Sequence, residues 1–524
     1  MATRRQLNQT GLFFSKDAGE GLVRIRKEDL LQLEKHLFQR YPNREWGTFF
    51  RFGFRRTSWG IAIYFIDGLW PERGDLDRQS ELTKFHEDYT RRGFHAANNK
   101  NGFAIGVAHS HPVDCPVSPS NLDDDMDSYF AGELASFSNG NPYCSLIFER
   151  NDKTGLSFSG RIYDRGHWLP VKSLISIGET VVRKQSQLIP VRLQSTEPYS
   201  ESTTARVQSV MGDSSKQMLS NATIGVVGCS GTGSPVIEVL ARAGVGNFVL
   251  VDPDRLSPSN LERMHGSEWR HLQLDTMPHK VTLMQSLIHS INPDANVTPF
   301  VGNILHENVV DELVRCDFVV GCTDTVHGRV ALEELARHHL VSAIDVGVVM
   351  NGNGGKVTDQ LINISAFGDG LPCVFCRQTI DTYDMSYELM SEAERDEKER
   401  QATEAAGRGD MVDQYWKGSP RQIHTVGYLT TVGGAMIAGY VEGALTGCFG
   451  IPHPEMQFDI GRERFGFVAA PVTVNDGCNC QSQFGWGDAA KPFKNVAIPG
   501  HWSRRAIQLP SVATSSMFGL PESA

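Results

Sequence analysis

Residues Ala222 to Asp254 read ATIGVVGCSGTGSPVIEVLARAGVGNFVLVDPD. Ile224 to Val227 is a short apolar run, suited to a buried parallel strand. Gly228, Gly231 and Gly233 follow at once. Glycine permits a tight turn and lets backbone amides approach a phosphate with no Cβ in the way. Pro235 suits the first turn of a helix, which Val236 to Ala243 continues. Gly244 and Gly246 stop it, and Phe248 to Val251 is a second strand. Asp252 closes that strand, where a carboxylate can hold ribose hydroxyls. The stretch therefore predicts a nucleotide-binding strand–turn–helix–strand unit. It leaves the nucleotide unnamed, and an NAD-dependent dehydrogenase remains one reading.

Working outward, the chain has 524 residues, too many for one core, so two or three domains are expected. Hydrophobic residues make up 40% and charged residues 21%, ordinary for a globular protein. The formal net charge of −11 argues against general nucleic-acid binding, which needs a basic surface. No apolar run reaches membrane-spanning length, and the N-terminus lacks a secretory apolar region. A cytoplasmic setting follows as the default. There the ten cysteines read as buried thiols, metal ligands or nucleophiles rather than disulfides.

Before the glycine turn, Arg26 to Arg40 has a helical apolar period. Trp46–Phe54 and Ser58–Phe65 read as strands, and Glu81–Asn98 as a helix. Gly102–Ala108 is an apolar strand leading into His109-Ser110-His111-Pro112. A helix over Asp123–Phe137 and strands near Tyr143–Glu149 and Ser157–Tyr163 follow. His109 and His111 alternate on an extended segment, so both side chains can face one way. With Asp123 they offer two imidazoles and a carboxylate, leaving a fourth zinc position for water. Zinc lowers that water's pKa toward neutrality. Glu45, just before a strand, can take its proton, and Ser120 can donate to an oxyanion.

The order Glu, His-x-His-Pro, Ser-x-x-Asp resembles the JAB/MPN (JAMM) zinc peptidases, many of which remove ubiquitin-like proteins. The resemblance implies Glu45 as general acid/base, His109, His111 and Asp123 as zinc ligands, and Ser120 as oxyanion stabiliser. The stretch Pro112 to Pro119 is one residue longer than the family's usual spacing, and Asp124 and Asp125 crowd the ligand position.

Beyond the glycine turn come Asp254, Ser259-Asn260-Leu261-Glu262-Arg263, Lys280 before a helix over Val281–Ile291, and Val319-Val320-Gly321-Cys322-Thr323-Asp324 with Arg329 after it. Arg263 and Lys280 suit phosphates. Asp324, at a strand end, suits Mg²⁺ beside phosphate oxygens. A dehydrogenase has no need of two carboxylate strand ends and these cations.

From about residue 205 to 486 the pattern resembles the ThiF/MoeB/ubiquitin-activating family, Ser230 standing for the usual second glycine. Members adenylate the C-terminal glycine of a ubiquitin-like or sulfur-carrier protein with ATP. The resemblance implies ATP contacts from Gly228, Gly231, Gly233, Asp252, Asn260, Arg263, Lys280, Asp324 and Arg329. Arg206 matches an arginine that commonly reaches the ATP of the partner subunit, which implies a homodimer. Arg206, Arg263 and Lys280 would then neutralise developing charge, and Asp324 would hold Mg²⁺.

Cys373-x-x-Cys376 and Cys478-x-Cys480 can form a closed four-thiolate zinc site, with a redox role for the first pair as the rival. Met390–Gln414 is strongly charged, a mobile helix or a solvated surface helix. Many relatives carry a catalytic cysteine just before the helix corresponding to Thr425–Ala444. Here Ser419 to Thr425 contains none. Direct transfer to a partner's nucleophile, or an oxygen nucleophile on this chain, would replace a thioester.

The fold expected is α/β: a JAB/MPN-like domain over 1–178, a linker over 179–204 (or an edge strand plus a linker), a Rossmann-like doubly wound ThiF-type domain over 205–486, and a tail over 487–524. The function expected is ATP-dependent activation of a ubiquitin-like protein coupled to its zinc-dependent processing or deconjugation, with a conjugating-enzyme-like partner. A bacterial conjugation operon, in phage defence by family analogy, is the setting. A sulfur-carrier activator, or a scaffold with an inactive zinc domain, are the alternatives.

Overall fold

The structure, a computed structural model, describes residues 14, 19–78, 82–97, 100–113, 115–137, 140–151, 155–187, 203–368, 370–408, 416–419, 425–461, 466–469, 473–493, 499 and 502–511. Much of the expected linker, residues 420–424 and the end of the expected tail lie outside the described residues. Two compact units emerge. The first comprises Met1–Thr196, Arg337–Leu340 and Gln483–Pro492; the second holds Glu197–Ala336, Val341–Ser482 and Phe493–Ala524.

The first unit runs β1 (Glu20–Arg26), α1 (Lys27–Leu37), β2 (Gly47–Thr57), β3 (Gly60–Leu69), α2 (Glu87–Ala97), β4 (Ala104–Ser110), α3 (Asn121–Phe137), β5 (Tyr143–Asn151), β6 (Gly155–Asp164), β7 (His167–Ile177) and β8 (Val182–Gln185). Its sheet order is β1-β3-β2-β4-β5-β6-β7-β8, and β1 also pairs with β7, so the sheet closes on itself. Strand alternation sorts two cores. Phe50, Ala104 and Ala108 pack with Leu30, Leu33 and Leu37 of α1. Phe49, Ile105 and Val107 point the other way, against Tyr89 of α2 and Phe130 of α3. Odd-numbered positions of β4 thus face α2 and α3. His109 continues that row.

The second unit begins with α4 (Ala205–Met211) and α5 (Ser214–Asn221). Sequence periodicity suggests one helix over Arg206–Leu219; Gly212, at φ +89°, ends the first helix and splits it. The unit then runs β9 (Thr223–Val227), α6 (Gly233–Arg242), β10 (Asn247–Val251), α7 (Lys280–Ile291), β11 (Asn296–Val301), α8 (Glu307–Leu313), β12 (Phe318–Gly321) and α9 (Val326–His339). After these come β13 (Ser342–Asn353), β14 (Lys356–Phe367), α10 (Thr382–Leu389), α11 (Glu392–Arg408), α12 (Gly427–Thr446), β15 (Glu455–Asp459), β16 (Gly466–Ala469) and β17 (Ile507–Gln508). The sheet order is β16-β15-β14-β13-β12-β9-β10-β11-β17. Strands β11, β10, β9, β12 and β13 are parallel; β14 to β16 and β17 add antiparallel edges. Strand β9 therefore sits between β10 and β12, at the point where strand order reverses and α/β sheets bind ligands.

Within residues 179–204, read as a linker or as an edge strand plus a linker, β8 pairs with β7 as an edge strand. One stretch differs from its sequence reading. Within the expected tail, β17 pairs with β11, and residues to Pro492 belong to the first unit. Both pairings rest on backbone hydrogen bonds, which leave little trace in side-chain pattern. No helix among the described residues is long and apolar enough to cross a membrane.

Candidate functional site

The glycine turn sits at the C-terminal end of β9. Gly228 has φ +94°, and a Cβ there would lie 2.5 Å from the Cys322 carbonyl oxygen. The turn thus presses against the end of β12, two residues before Asp324. A Cβ on Gly233 would meet the Gly228 carbonyl at 1.8 Å, so the first turn of α6 packs directly on the loop. The Gly228 N–H itself donates to the Val251 carbonyl at 2.8 Å. Two amides of the loop are thus already paired, Gly228 with Val251 and Cys229 with Asp252.

Arg263 lies across this turn. A Cβ on Gly231 would come within 3.0 Å of Arg263 Cδ, so the missing side chain makes room for the arginine stem. Arg263 shares a pocket with Leu261, Glu262, Met264, His265, Gly427 and Thr431. Asn260 is buried, and its Oδ1 accepts from the Ser257 N–H at 3.0 Å and hydroxyl at 2.9 Å, fixing the loop that carries Arg263.

At the end of β10, Asp252 accepts from the Cys229 N–H at 2.7 Å and the Asp254 N–H at 2.9 Å. Burial pushes its carboxyl above the usual range, against the pull of Lys280. Lys280, itself buried, donates to Asp254 at 2.7 Å and lies 4.0 Å from Asp252. The structure thus joins Lys280 to the ribose-type carboxylate and leaves its charge facing two acids. Arg329 donates to buried Asp345 at 3.0 Å; burial raises that carboxyl to about 6 despite the guanidinium. Asp324 is exposed in the turn after β12, and Arg206 is exposed on α4. No hydrogen bond or ion pair joins Arg206 to this set among the described residues.

In the first unit, Gly47 pairs with His109 across β2 and β4. Continuing that antiparallel register puts Glu45 opposite His111, on the face of His109. Ser110 points to the opposite face and donates to Leu37 O at 2.8 Å. Asp123 enters from the first turn of α3. Its Oδ1 is 3.1 Å from His109 Nε2, and its Oδ2 is 3.7 Å from His111 Nε2. Donors on a tetrahedral zinc with bonds of about 2.0 Å stand about 3.3 Å apart. Among the described residues, neither nitrogen of buried His109 has a hydrogen-bond partner, although a carboxylate lies beside one of them. One donor atom from each of His109, His111 and Asp123 lies within 4.8 Å of the other two. His111 Nδ1 hydrogen-bonds Pro116 O at 2.6 Å, which frees Nε2 as a ligand. The set fits a cation.

Supporting groups separate the crowded aspartates. Asp124 pairs with Arg161, Asp127 accepts from Arg161 and from Tyr143 at 2.7 Å, and Asp125 is exposed. Among the described residues, Asp123 alone of these aspartates joins the histidines. Ser120 donates its N–H at 2.6 Å and its hydroxyl at 2.7 Å to Asp123 Oδ2. The sequence reading gave Ser120 to an oxyanion; in this structure its proton positions Asp123. Glu45 accepts the Thr83 N–H at 2.9 Å.

Cys373, Cys376, Cys478 and Cys480 bring their sulfurs within 4.8 Å of one another. Cys373 and Cys478 are 3.8 Å apart, and Cys376 and Cys480 are 3.9 Å apart. Zn–S bonds of about 2.3 Å in a tetrahedron separate sulfurs by about 3.8 Å, whereas a disulfide needs about 2.05 Å. Four thiols in this geometry fit a closed zinc site.

The structure also assembles a group that sequence reading missed. His265 Nδ1 is 2.8 Å from Glu238 of α6, and its Nε2 is 3.0 Å from the Thr431 hydroxyl of α12. Its N–H donates to Ser234 at 2.9 Å. The one hint was His265 lying two residues after Arg263.

Comparison with known proteins bears on the second unit. The sequence profile described as "ThiF family" matches residues 202–480, more than half of the chain. The adenylyltransferase and sulfurtransferase UBA4 of Kluyveromyces lactis is 27% identical over 158 residues, covering 30% of this chain and 33% of that protein. The SAMP-activating enzyme E1 of Haloferax volcanii is 31% identical over 127 residues, 24% of this chain and 46% of that protein. The tRNA threonylcarbamoyladenosine dehydratase of Escherichia coli is 28% identical over 155 residues, 29% and 55% of the two chains. This chain thus spans about a third to a half of the length of these relatives. A solved structure of Escherichia coli MccB aligns at TM-score 0.39 and 16% identity, over 54% of this chain and 76% of that one. With a parallel sheet switching at β9, a glycine turn there and a profile match across the same unit, the chain belongs to the ThiF family.

Proposed function

We propose that the chain adenylates the C-terminal glycine of a ubiquitin-like protein, and that its first unit is a JAB/MPN-type zinc peptidase acting on the same protein. The observation that carries the first half is Arg263 laid over the glycine turn at the switch point of the sheet. ATP phosphates at the start of α6 would meet Arg263, with Lys280 behind Asp252 and Asp254. The carrier's carboxylate attacks the α-phosphate, and pyrophosphate leaves. The nucleophile is already ionised and needs no base. Asp324 would hold Mg²⁺, and Arg206 would reach the ATP of a second copy in a homodimer. Arg329, now paired with Asp345, would also contact the ATP.

In the first unit, a bound zinc would polarise the scissile carbonyl and acidify a water. His109, His111 and Asp123 would hold it, Ser120 would orient Asp123, and Glu45 would take and return the proton. Trimming exposes the glycine that the second unit activates. A conjugating-enzyme-like partner would receive the product, in a bacterial conjugation system of the kind used in antiviral defence.

The test is ATP–pyrophosphate exchange with a β-grasp protein ending in Gly-Gly, alongside cleavage of the same protein bearing a short C-terminal extension. Exchange and cleavage are both expected. Exchange without cleavage would leave the first unit a scaffold. Persulfide or thiocarboxylate formation on the carrier would favour the sulfur-transfer reading. Absence of exchange would overturn the proposal.

A further inference from the structure

The activated carrier needs an acceptor, and the five residues 419–423 and the two after them offer no thiol. Beside the Arg263 pocket, however, stand a hydroxyl, an imidazole and a carboxylate in line. Thr431 Oγ1 is 3.0 Å from His265 Nε2, and His265 Nδ1 is 2.8 Å from Glu238 Oε2. This is the nucleophile–base–orienter arrangement that activates an otherwise weak hydroxyl. The three come from different elements, α12, the loop after Arg263, and α6, and all are accessible in part. The His265 and Glu238 side chains are 31% and 22% exposed.

The placement relative to the glycine turn matters as much as the triad itself. His265 is tied through its N–H to Ser234 in the first turn of α6. A Cβ on Gly231 would touch both Arg263 Cδ and, at 3.3 Å, Thr430 Cγ2. Thr431 therefore starts one residue from a side chain in contact with the turn, and it lines the same pocket as Arg263. An acyl adenylate formed there would present its carbonyl near a hydroxyl already hydrogen-bonded to a base. Thr431 Oγ1 also lies 2.8 Å from Gly427 O, the ordinary resting bond of a helical threonine. Its proton can turn to either acceptor.

We propose that Thr431 is the acyl acceptor of the adenylated carrier, with His265 as general base and Glu238 as its orienting carboxylate. In the step, Thr431 Oγ1 attacks the carbonyl carbon of the glycyl adenylate. Its proton passes to His265 Nε2 as the carbon–oxygen bond to the phosphate breaks. AMP leaves and an ester to Thr431 forms. A partner's thiol or amine then takes the acyl group, and the proton on His265 returns to Thr431. This rests on the adenylation reading above.

The test uses the full-length wild-type chain, ATP, Mg²⁺ and a β-grasp protein ending in Gly-Gly, read in parallel for pyrophosphate exchange and for covalent adducts by mass spectrometry. The expected adduct has the carrier's mass less one water, resists thiols, is cleaved by hydroxylamine or mild base, and maps to Thr431. Thr431→Ser should retain it, Thr431→Val should lose it, and His265→Gln should slow its formation about 100-fold or more while flattening its rise with pH. Exchange with no adduct, or with an adduct on a cysteine or lysine, overturns the acceptor while leaving adenylation intact. No exchange at all overturns both.

Discussion

The two metal-capable clusters are built from opposite materials. Four thiols, from Cys373 and Cys376 after β14 and from Cys478 and Cys480 far along the chain, surround a point on all sides. Two imidazoles and one carboxylate in the first unit are three donors, one short of a tetrahedral set. Saturated coordination can only hold; three ligands can hold and still react. The surroundings agree. Cys376 and Cys480 are buried among other cysteines and Phe375. Asp123 is braced by Ser120, His111 by Pro116, and the helix beneath by the Arg161–Asp124–Asp127 network. Stability comes from completing the shell, chemistry from leaving it incomplete and bracing what remains.

The largest effect should come from the closed cluster. Cys376→Ser should remove one equivalent of zinc and abolish cooperative unfolding of the second unit, since structural zinc contributes about 10 kcal/mol or more. Metal analysis with scanning calorimetry reads both; full zinc content in the variant would break the comparison. Next, Glu45→Gln should lower cleavage of a glycine-extended carrier by about 10²- to 10⁴-fold with the metal retained. Loss of metal together with activity would mean that Glu45 is a ligand, closing the open position. A smaller change is expected of Ser120→Ala, which frees Asp123 to rotate. Metal affinity at the histidine cluster should fall about 10- to 100-fold in chelator competition, while the thiol cluster is untouched.

The smallest effect separates metal from ordinary burial as a source of stability in the second unit. Burial alone raises Glu442 of α12 to about 7. Below pH 4.5 the side chain is neutral folded or unfolded. As pH rises toward 7 the unfolded chain releases the proton and the folded one keeps it, so stability falls through this window and levels off above it. Glu442→Gln should flatten that slope and add about 1 kcal/mol at pH 8, after discounting for partial exposure. Denaturant melts at pH 5 and pH 8 measure it, and an unchanged slope would show that the carboxylate finds a partner.

Legibility followed sequence distance. The glycine turn, its flanking strands, the His-x-His pair and the paired cysteines were readable because each motif is local and its periodicity matches its element. Strand β7 and the β13–β14 hairpin left no such mark. The hairpin turns through Gly354 and Gly355 within a polar run that reads as loop. Edge strand β17 is held by backbone pairing, for which side-chain pattern carries little information. The Glu238–His265–Thr431 group was hidden for another reason. Its members are ordinary surface residue types on three elements, and only the packing of α12 against α6 brings them together. The sequence pointed to Asp123 with Asp124 and Asp125 crowding it; the pairing of Asp124 with Arg161 sets that neighbour apart.

One feature of the first unit bears on how the chain is made. Strand β2 bridges to Gly487 through Phe54, Arg55 donates to Asp488 at 2.9 Å, and Phe103 meets the Trp486 ring edge-on at 4.9 Å between centroids. A ribosome delivering this chain releases residues 1–196 early, yet the pieces that complete their packing emerge only when Pro492 has been added. The first-made unit is therefore finished after almost all of the second has been synthesised. A nascent or truncated chain stopping before Gln483 would carry the histidine cluster on an incomplete body. The order of synthesis thus couples completion of the first unit to the presence of the second.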